Sequence, residues 1–256
     1  MGVRPYRLKD IRAWGDYALF TLEGEVAPSH PGQFYMIRGD WNDDPLLARP
    51  ISILEDDPAC GTVRFLIKVV GKGTRLLASS TAGDRLFALG PLGGAFPDED
   101  LPEPVVLVGG GVGVPPVYYL AKRLRERGVA VRFFQGARTS DDLLMVSELG
   151  GLGVDVVLST EDGSRGVRGM VTEPLGEALG EGAGMVCACG PEGMLRAVTG
   201  LCGGDIPCKV SLEARMGCGY GVCLGCVVPI REGKGRVYRR VCMEGPVFDG
   251  EEVLWE

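Results

Sequence analysis

Histidine is almost absent from this sequence of 256 residues, which contains only His30. A single imidazole argues against a histidine-dependent catalytic triad and against a histidine-rich metal site, because both need further partners of defined type. His30 itself, in the segment PSHPGQ, is predicted to be a loop residue. Asparagine and glutamine are also scarce, with three residues together. That scarcity fits a thermophilic protein, whereas the excess of arginine over lysine fits a GC-rich genome equally well, and both explanations stay open.

Positive charge and long apolar runs are missing as well. The formal net charge is −7, so the composition offers no basic surface for nucleic acid or for an anionic membrane. No apolar run approaches the ~20 residues that a membrane-spanning helix needs. The opening residues MGVRPYRLKD lack the apolar core of a signal peptide. We therefore expect a cytoplasmic protein with neither a nucleic-acid nor a membrane partner.

Cysteine, by contrast, is abundant, with nine residues. An odd count in a reducing compartment does not indicate a disulfide framework, so metal binding or redox chemistry is the better interpretation. Three of the nine form the motif C-x4-C-x2-C, and a fourth follows after fifteen intervening residues. These four are Cys218, Cys223, Cys226 and Cys242. We interpret the other five as buried, unreactive thiols: Cys60, Cys187, Cys189, Cys202 and Cys208. A second cluster at Cys202 and Cys208 is the weaker alternative for that pair.

The spacing of the first four cysteines is typical of [2Fe–2S] sites of the plant-ferredoxin type. Glycines at positions 217, 219, 221 and 225 surround them, and we expect these glycines to adopt positive φ and to let backbone N–H groups approach sulfur closely. A structural zinc site is the alternative, although zinc sites usually show two C-x2-C pairs. A Rieske centre is excluded because it needs two histidine ligands. The sequence thus predicts an iron–sulfur site in the tail.

Hydrophobic patterns divide the chain into three segments. Residues 1–98 alternate short apolar runs with turn residues, as in YALFTLEG and GTVRFLIKVVG, which predicts an antiparallel β-barrel. Residues 99–205 alternate apolar strands with helical stretches, which predicts a doubly wound parallel sheet. Residues 206–256 are too few to build a sufficient core and need a metal to fold. The expected fold is therefore multidomain, β plus α/β, with a small C-terminal [2Fe–2S] domain.

Two motifs in the barrel segment suit a flavin nucleotide. In RPIS, at 49–52, the arginine can clamp a pyrophosphate with its planar fork and the serine can donate to a flavin ring. About twenty residues later, Gly73 and Thr74 open a short helix whose free N–H groups suit a phosphate. Residues 67–69 are predicted to form the strand that leads into that loop. Arg-Pro-x-Ser by itself also occurs by chance at solvated strand ends.

Two glycine loops in the second segment suit a second nucleotide. VGGGVGVPP, at 108–116, follows an apolar strand predicted at 104–108 and opens a helix, although it is not the G-x-G-x-x-G fingerprint. Pro115 and Pro116 fit the first turn of that helix. CGPEGML, at 189–195, again ends a strand and begins a helix, at the edge where open α/β sheets bind ligands. Each loop alone is compatible with a plain turn, but chance explains the ordered set poorly.

In this order, the motifs resemble the ferredoxin–NADP⁺ reductase superfamily. With the phrases SLEARMGCGYGVCLGCVVPI and YRRVCMEGPVFDGEEV, essentially the whole chain resembles the family of iron–sulfur electron-transfer subunits of type B, NAD-dependent dihydroorotate dehydrogenases. The resemblance implies FAD in the barrel, NAD⁺ at the α/β domain and a [2Fe–2S] cluster near the surface. It also implies a catalytic partner subunit with FMN in a β/α barrel, in a heterotetramer with two subunits of each kind. Electrons from dihydroorotate would pass from FMN through the cluster and FAD to NAD⁺, in pyrimidine biosynthesis.

Carried onto this sequence, the resemblance assigns three groups of residues. The flavin-binding residues are Arg49, Pro50, Ile51, Ser52, Ile67, Lys68, Val69, Gly73 and Thr74. The nicotinamide-binding residues are Gly109, Gly110, Gly111, Gly113, Cys189, Gly190 and Pro191. The cluster ligands are Cys218, Cys223, Cys226 and Cys242. Lys68 departs from relatives that often carry Arg, and no catalytic base is assigned, because dihydroorotate would be oxidised on the partner.

Other functions stay open at this point. The same architecture serves ferredoxin:NADP⁺ oxidoreductases, hydrogenases and sulfite reductases. The amino-acid sequence of the C-terminal tail favours a dihydroorotate dehydrogenase among these. A zinc-stapled interaction module without flavin is an alternative of another class. A preference for NAD over NADP rests on Glu161 and Asp162, which follow a strand and would repel a 2′-phosphate, although solvated loop acids are the plainer interpretation.

Overall fold

The computed structural model describes residues 2–41 and 43–255. The chain forms two compact units. One contains the chain up to Ala95 together with residues 213–227 and 239–246, and the other contains residues 96–212, 228–238 and 247–256. The tail, predicted as a separate domain from residue 206, contributes segments to both units. The division into three domains stays a prediction.

Six strands of the first unit close into an antiparallel barrel, as predicted. They are β1 (Arg4–Trp14), β2 (Tyr17–Glu23), β3 (Phe34–Gly39), β4 (Arg49–Asp57), β5 (Thr62–Lys68) and β6 (Arg85–Leu92). Their order around the barrel is β1-β2-β5-β4-β3-β6. Helix α1 (Lys72–Ala78) lies between β5 and β6 in sequence, where the pattern predicted a helical turn.

Aromatic side chains fill the interior of the barrel. Tyr35 and Phe65 meet edge to face with ring centroids 5.5 Å apart, and Phe20 stacks on Phe65 at 5.5 Å. All three are almost completely buried. Because successive side chains of a strand point to opposite faces, Tyr35 on the inner face places its neighbours Phe34 and Met36 on the outer face.

Seven strands form the sheet of the second unit. They are β7 (Val105–Gly110), β8 (Val131–Ala137), β9 (Asp155–Thr160), β10 (Val167–Arg168), β11 (Met185–Cys189), β12 (Cys208–Ser211) and β15 (Val247–Asp249). Their order is β10-β9-β8-β7-β11-β12-β15, and every neighbouring pair is parallel except β12 and β15. The predicted doubly wound parallel sheet is confirmed, with an antiparallel edge strand that comes from the tail.

Four helices accompany this sheet: α2 (Val114–Glu126), α3 (Val146–Gly151), α4 (Thr172–Gly180) and α5 (Glu192–Cys202). Pro115 and Pro116 lie in the first turn of α2, as predicted, where their missing N–H groups cost no helical hydrogen bond. The direction of winding reverses between β7 and β11, since the chain runs through β8–β10 on one side and β12 on the other. Such a reversal creates the crevice where α/β sheets bind ligands.

The tail adds one further element. Strands β13 (Val227–Glu232) and β14 (Gly235–Arg240) form a two-stranded hairpin between the third and fourth cysteines of the predicted cluster motif. The hairpin returns the chain to the first unit, where the backbone N–H of Val241 donates to the carbonyl of Cys226 at 2.9 Å. That hydrogen bond brings Cys242 beside Cys226.

Candidate redox cofactor sites

The four cysteines of the tail lie as two pairs within the first unit. The backbone N–H of Cys223 donates to Sγ of Cys218 at 3.5 Å, and the two side chains also contact each other. The thiols of Cys226 and Cys242 contact each other and are both buried. In the described residues, no three or more His, Cys, Asp and Glu side chains converge closely enough to hold a single metal ion. Two adjacent thiol pairs suit a cluster of two irons, each with two thiolate ligands.

Backbone N–H groups point at the first of these thiols. Burial raises the pKa of the Cys218 thiol, but hydrogen bonds from the backbone of Cys223, Tyr220 and Val222 outweigh that effect and lower the pKa to about 6. The thiolate is the form that binds metal, so this loop favours the ligating state. At the other pair, burial and the neighbouring Cys226 thiol raise the pKa of Cys242. A bound cation is what stabilises two buried thiolates side by side.

Residues 217–226, which contain the first three cysteines of the motif, are called the cluster loop. The glycines of this loop have two different roles. Gly219 and Gly221 adopt φ of +78° and +83°, as predicted. Gly217 and Gly225 do not, so the prediction of positive φ is wrong for these two positions. A Cβ on Gly217 or Gly225 would instead lie 3.3 or 3.5 Å from Sγ of Cys223. These two glycines therefore leave open the space around a ligand sulfur, which is the cradle that a cluster needs.

Arg240 ties the cluster segments together, a role that the sequence analysis missed. Its Nη1 donates to the carbonyl of Gly221 at 3.0 Å, while its Nε donates to the carboxylate of Glu244 at 3.1 Å. The backbone N–H of Arg240 also donates to Glu244 at 2.7 Å. Because Gly221 precedes Cys223 and Arg240 precedes Cys242, this network holds the loops of both thiol pairs. The signal was present in the sequence as an Arg–x3–Glu spacing around Cys242.

The two predicted flavin motifs meet at one place. Arg49 opens β4, and a Cβ on Gly73 would lie 2.3 Å from its Nε and 2.7 Å from its Nη2. Glycine at position 73 lets the guanidinium of Arg49 lie directly against the backbone. A guanidinium fork beside the first turn of a helix suits a pyrophosphate. RPIS and GKGT were both assigned to a flavin nucleotide from the sequence, and the structure brings the two motifs into contact.

Other residues of the flavin set shape the loop. The hydroxyl of Thr74 accepts from the N–H groups of Val70 and Gly71 at 3.0 and 3.1 Å, so its role here is to fix the turn before α1. Ile67 and Lys68 end β5, as predicted, but Val69 lies just beyond the end of the strand, so the strand is one residue shorter than predicted. The Nζ of Lys68 lies 5.1 Å from the ring centroid of Tyr17, on the neighbouring strand.

The two glycine loops of the second unit are in direct contact. A Cβ on Gly113 would lie 2.3 Å from the carbonyl oxygen of Cys189 and 2.5 Å from the N of Gly190. The loops follow β7 and β11, which are adjacent parallel strands with Gly109 paired to Cys189. The strand β7 continues to Gly110, two residues beyond the predicted end at 108. Both loops therefore lie at the switch point of the sheet, which is the place where open α/β sheets generally bind ligands.

Met194 belongs to this site, although the sequence analysis did not assign it. A Cβ on Gly110 would lie 2.7 Å from its Sδ, and a Cβ on Gly190 would lie 2.5 Å from its Cε. The thioether thus packs on glycines of both loops and holds them together. Methionine suits this position because its flexible side chain fits irregular gaps.

Glu161 and Asp162 follow β9, as predicted, but they are not equivalent. Asp162 accepts from the Oγ and N–H of Ser164 at 2.6 and 2.9 Å, and these hydrogen bonds lower its pKa. Its carboxylate is therefore turned into its own loop. The backbone N–H of Glu161 donates to Ala137 at the end of β8. Of the two carboxylates, Asp162 is the one held within its own loop by hydrogen bonds from Ser164.

The remaining cysteines and the histidine agree with the sequence analysis, with one exception. Four of the five spare cysteines are buried: Cys187, Cys189, Cys202 and Cys208. The prediction of burial is wrong for Cys60, which is exposed because it lies in the turn between β4 and β5. His30 is an exposed loop residue, as predicted.

Two protein-family models match the segments that contain the four cysteines and the glycine loops. Residues 213–254 match the iron–sulfur cluster binding domain of dihydroorotate dehydrogenase B, and residues 107–200 match an oxidoreductase NAD-binding domain. The chain is 41% identical to the protein named dihydroorotate dehydrogenase B (NAD(+)), electron transfer subunit, of Shouchella clausii, over 91% of each chain. The protein of that name from Caldanaerobacter subterraneus is 39% identical, over 92% of this chain and 91% of that protein.

Solved structures show the same fold. The chain is similar to the structure of an NADH-dependent reduced ferredoxin-NADP oxidoreductase, with a TM-score of 0.83 and 30% identity over 98% of this chain and 90% of that one. A ferredoxin NADP⁺ reductase from Neisseria gonorrhoeae with bound FAD and NADP has a TM-score of 0.65 at 17% identity, over 78% of this chain and 93% of that one. In the described part of the chain, none of the helices has the length and apolar character that a membrane crossing requires.

Proposed function

Because this chain belongs to the family of electron transfer subunits of NAD⁺-dependent dihydroorotate dehydrogenase B, we propose that it delivers electrons from dihydroorotate to NAD⁺ in pyrimidine biosynthesis. The observation that carries this proposal is the pairing of four thiols within the segment that matches the iron–sulfur domain of that enzyme. The chain is the oxidoreductase component that handles electrons, and the chemistry on dihydroorotate belongs to a partner.

The residues described above fit three redox groups. Cys218 and Cys223 would hold one iron of a [2Fe–2S] cluster, and Cys226 and Cys242 the other. Arg49 and the backbone at Gly73 would hold the pyrophosphate of FAD. When bound, FAD exchanges electrons singly with a cluster and in pairs with a nicotinamide. The loops at Gly113 and Gly190 would orient NAD⁺ at the sheet edge.

A two-pair thiol site favours the iron–sulfur assignment over the zinc alternative. Structural zinc needs four ligands around one point at about 2.3 Å from each sulfur. Here the contacts run within each pair, and Gly217 and Gly225 leave space beside Cys223. That space suits inorganic sulfide between two irons.

The partner, we propose, is an FMN-containing catalytic subunit, in a cytoplasmic assembly with two subunits of each kind. The surface around the thiol pairs supports a protein partner, because it exposes apolar side chains that a free surface rarely groups. Val222 is 73% exposed, Leu224 60% and Tyr220 54%, all beside ligand cysteines, and Met243 follows Cys242 at 49%. We call these four residues the cluster rim.

Charges placed on the cluster rim are expected to separate the two subunits. We expect the double replacement Val222→Asp and Leu224→Asp to reduce co-purification of the catalytic subunit by about tenfold or more, since burying unpaired carboxylates in an interface is costly. Leu224 has φ of +56°, a conformation that aspartate tolerates better than leucine, so the variant should fold. The measurement is the ratio of the two subunits after affinity purification.

Val3→Asp serves as the matched control for that experiment, because Val3 is 64% exposed and lies outside the cluster rim. The control should retain the partner in full. Equal recovery of the catalytic subunit with the rim variant would show that the partner binds elsewhere.

The proposed function itself is tested with the tagged chain purified without oxygen from its native host. We expect the complex to reduce NAD⁺ when dihydroorotate is added, and the isolated chain to be inactive with dihydroorotate while it still oxidises NADH with an artificial acceptor. A brown, flavin-containing complex that is silent with dihydroorotate but reduces ferredoxin would contradict the proposal. It would favour a function like that of the ferredoxin-NADP oxidoreductase with the similar structure.

A further inference from the structure

One barrel strand, β3, lies between the predicted flavin motif and the cluster segments. On one side β3 pairs with β4, where Met36 is opposite Pro50 and Phe34 is opposite Ser52. On the other side β3 pairs with β6, where Phe34 is opposite Leu92. The flavin motif is therefore one strand away from Met36.

The side chains on this part of β3 share a face with the flavin motif. Opposed residues in an antiparallel pair point to the same side of the sheet, so Met36 and Phe34 face outward with Pro50 and Ser52. Tyr35, between them, points into the barrel, where it meets Phe65. Met36 is nevertheless only 3% exposed, so another segment covers it.

That segment is the cluster loop. Gly219 directly follows the ligand Cys218, and a Cβ on Gly219 would lie 2.4 Å from Cγ of Met36 and 3.1 Å from its Sδ. The same atom would lie 3.2 Å from Leu92 on β6. The backbone of the loop thus rests directly on the thioether side chain. Methionine is polarizable and adapts its shape to irregular contacts.

The segment after the fourth ligand is anchored on the same strands. The N–H of Gly94, just after β6, donates to the carbonyl of Gly245 at 2.6 Å. A Cβ on Gly93 would lie 2.7 Å from Pro246 and 3.0 Å from the ring of Phe34. Both cluster segments therefore rest on the outer face of β3 and β6, at Phe34 and at Met36.

We propose that Met36 is a positioning residue that fixes the separation between the iron–sulfur cluster and the flavin. Its side chain packs directly between Gly219, in the loop of Cys218, and β3, the strand next to RPIS. Transfer of an electron between two fixed centres slows steeply as their separation grows, so a change in the thickness of this layer would change the rate of transfer. This inference rests on the proposed function, because it requires both cofactors in the chain.

The test follows electrons from NADH in the purified complex by stopped-flow absorbance. NADH would reduce the flavin first, by two electrons as hydride; the cluster would then accept one of these electrons at one ferric iron, and the other electron would stay on the flavin until the cluster is reoxidised. With Met36→Ala we expect the first step to be unchanged and the second to slow by about tenfold or more, because a displacement of the loop misplaces the acceptor. Electron paramagnetic resonance of the reduced cluster should show an altered signal. If the alanine chain does not fold, Met36→Val gives the same comparison with a smaller cavity.

Two further variants decide the interpretation. Met36→Leu keeps the volume and should restore the second step to within about twofold of the natural chain. Met185→Ala makes the same truncation at a buried site in β11 and should leave the second step unchanged. The inference is overturned if Met36→Ala transfers electrons to the cluster at the natural rate, or if Met36→Leu is as slow as Met36→Ala. A natural complex in which NADH never reduces the cluster would instead refute the proposed function.

Discussion

Replacement of Cys226 by serine is expected to abolish dihydroorotate-dependent reduction of NAD⁺ while oxidation of NADH by ferricyanide survives. Cys226 is 2% exposed, pairs with Cys242, and accepts a backbone hydrogen bond from Val241 at its carbonyl. A serine hydroxyl there would not replace a soft thiolate on iron. The flavin and nicotinamide residues are not part of this contact, so the chemistry between those two groups should continue.

The expected size of the effect is a loss of about 100-fold or more in the dihydroorotate assay, since even changes beside a metal ligand cost up to that much in metal affinity. Iron content and the resonance signal of the reduced cluster should fall with the activity. The measurements are iron and acid-labile sulfide per chain, together with both activities of the same sample.

Cys60→Ser provides the matched control, because Cys60 is an exposed thiol of the same unit in a turn remote in sequence from the cluster motif. That variant should keep its iron and both activities. Full iron content in Cys226→Ser, together with unchanged reduction of NAD⁺, would show that the four cysteines do not hold the cluster.

Most of the fold was readable from the sequence because its patterns are local. Alternating runs predicted the barrel, and the change to strand–helix alternation near residue 104 predicted the parallel sheet. The spacing of Cys218, Cys223 and Cys226 likewise indicated an iron–sulfur site, since loop geometry depends on local spacing. These features require no knowledge of which distant segments meet.

What the sequence did not reveal depends on contacts between distant segments. Gly217 and Gly225 were assigned positive φ, whereas their role is to leave space beside the sulfur of Cys223. The packing of Met36 on Gly219 joins residues far apart in the chain and follows from the register of β3. Strand β15 is short, and only its pairing with β12 makes it part of the sheet. Local patterns carry no information on such pairings.

A methyl group added at Gly113 is expected to disable the nicotinamide site without affecting the other two. The backbone of Gly113 has φ of −75° and ψ of −8°, which alanine adopts without strain. Its Cβ, however, would lie 2.3 Å from the carbonyl oxygen and 2.4 Å from the carbonyl carbon of Cys189. Because these are backbone atoms at the end of a central strand, they cannot rotate away as a side chain would.

Gly113→Ala should therefore force apart the loops that follow β7 and β11. We expect the KM for NADH in ferricyanide reduction to rise about tenfold or more, because misplacing a bound group by about 1 Å is enough for a large kinetic loss. The free energy of unfolding should fall by about 1–3 kcal/mol, the usual cost of overpacking. FAD content and the cluster signal should match those of the natural chain, since Arg49, Gly73 and the four ligand cysteines lie in the first unit.

Gly150→Ala distinguishes this steric effect from any general response to glycine replacement. Gly150 lies in α3, and nothing comes within 4 Å of a Cβ placed there. Alanine is the better helix former by up to ~1 kcal/mol, so this control should be at least as stable as the natural chain and unchanged in its KM. A folded Gly113→Ala chain with a natural KM for NADH would mean that the nicotinamide binds away from the two glycine loops. The crevice at the switch point between β7 and β11 would then bind a ligand other than the nicotinamide nucleotide.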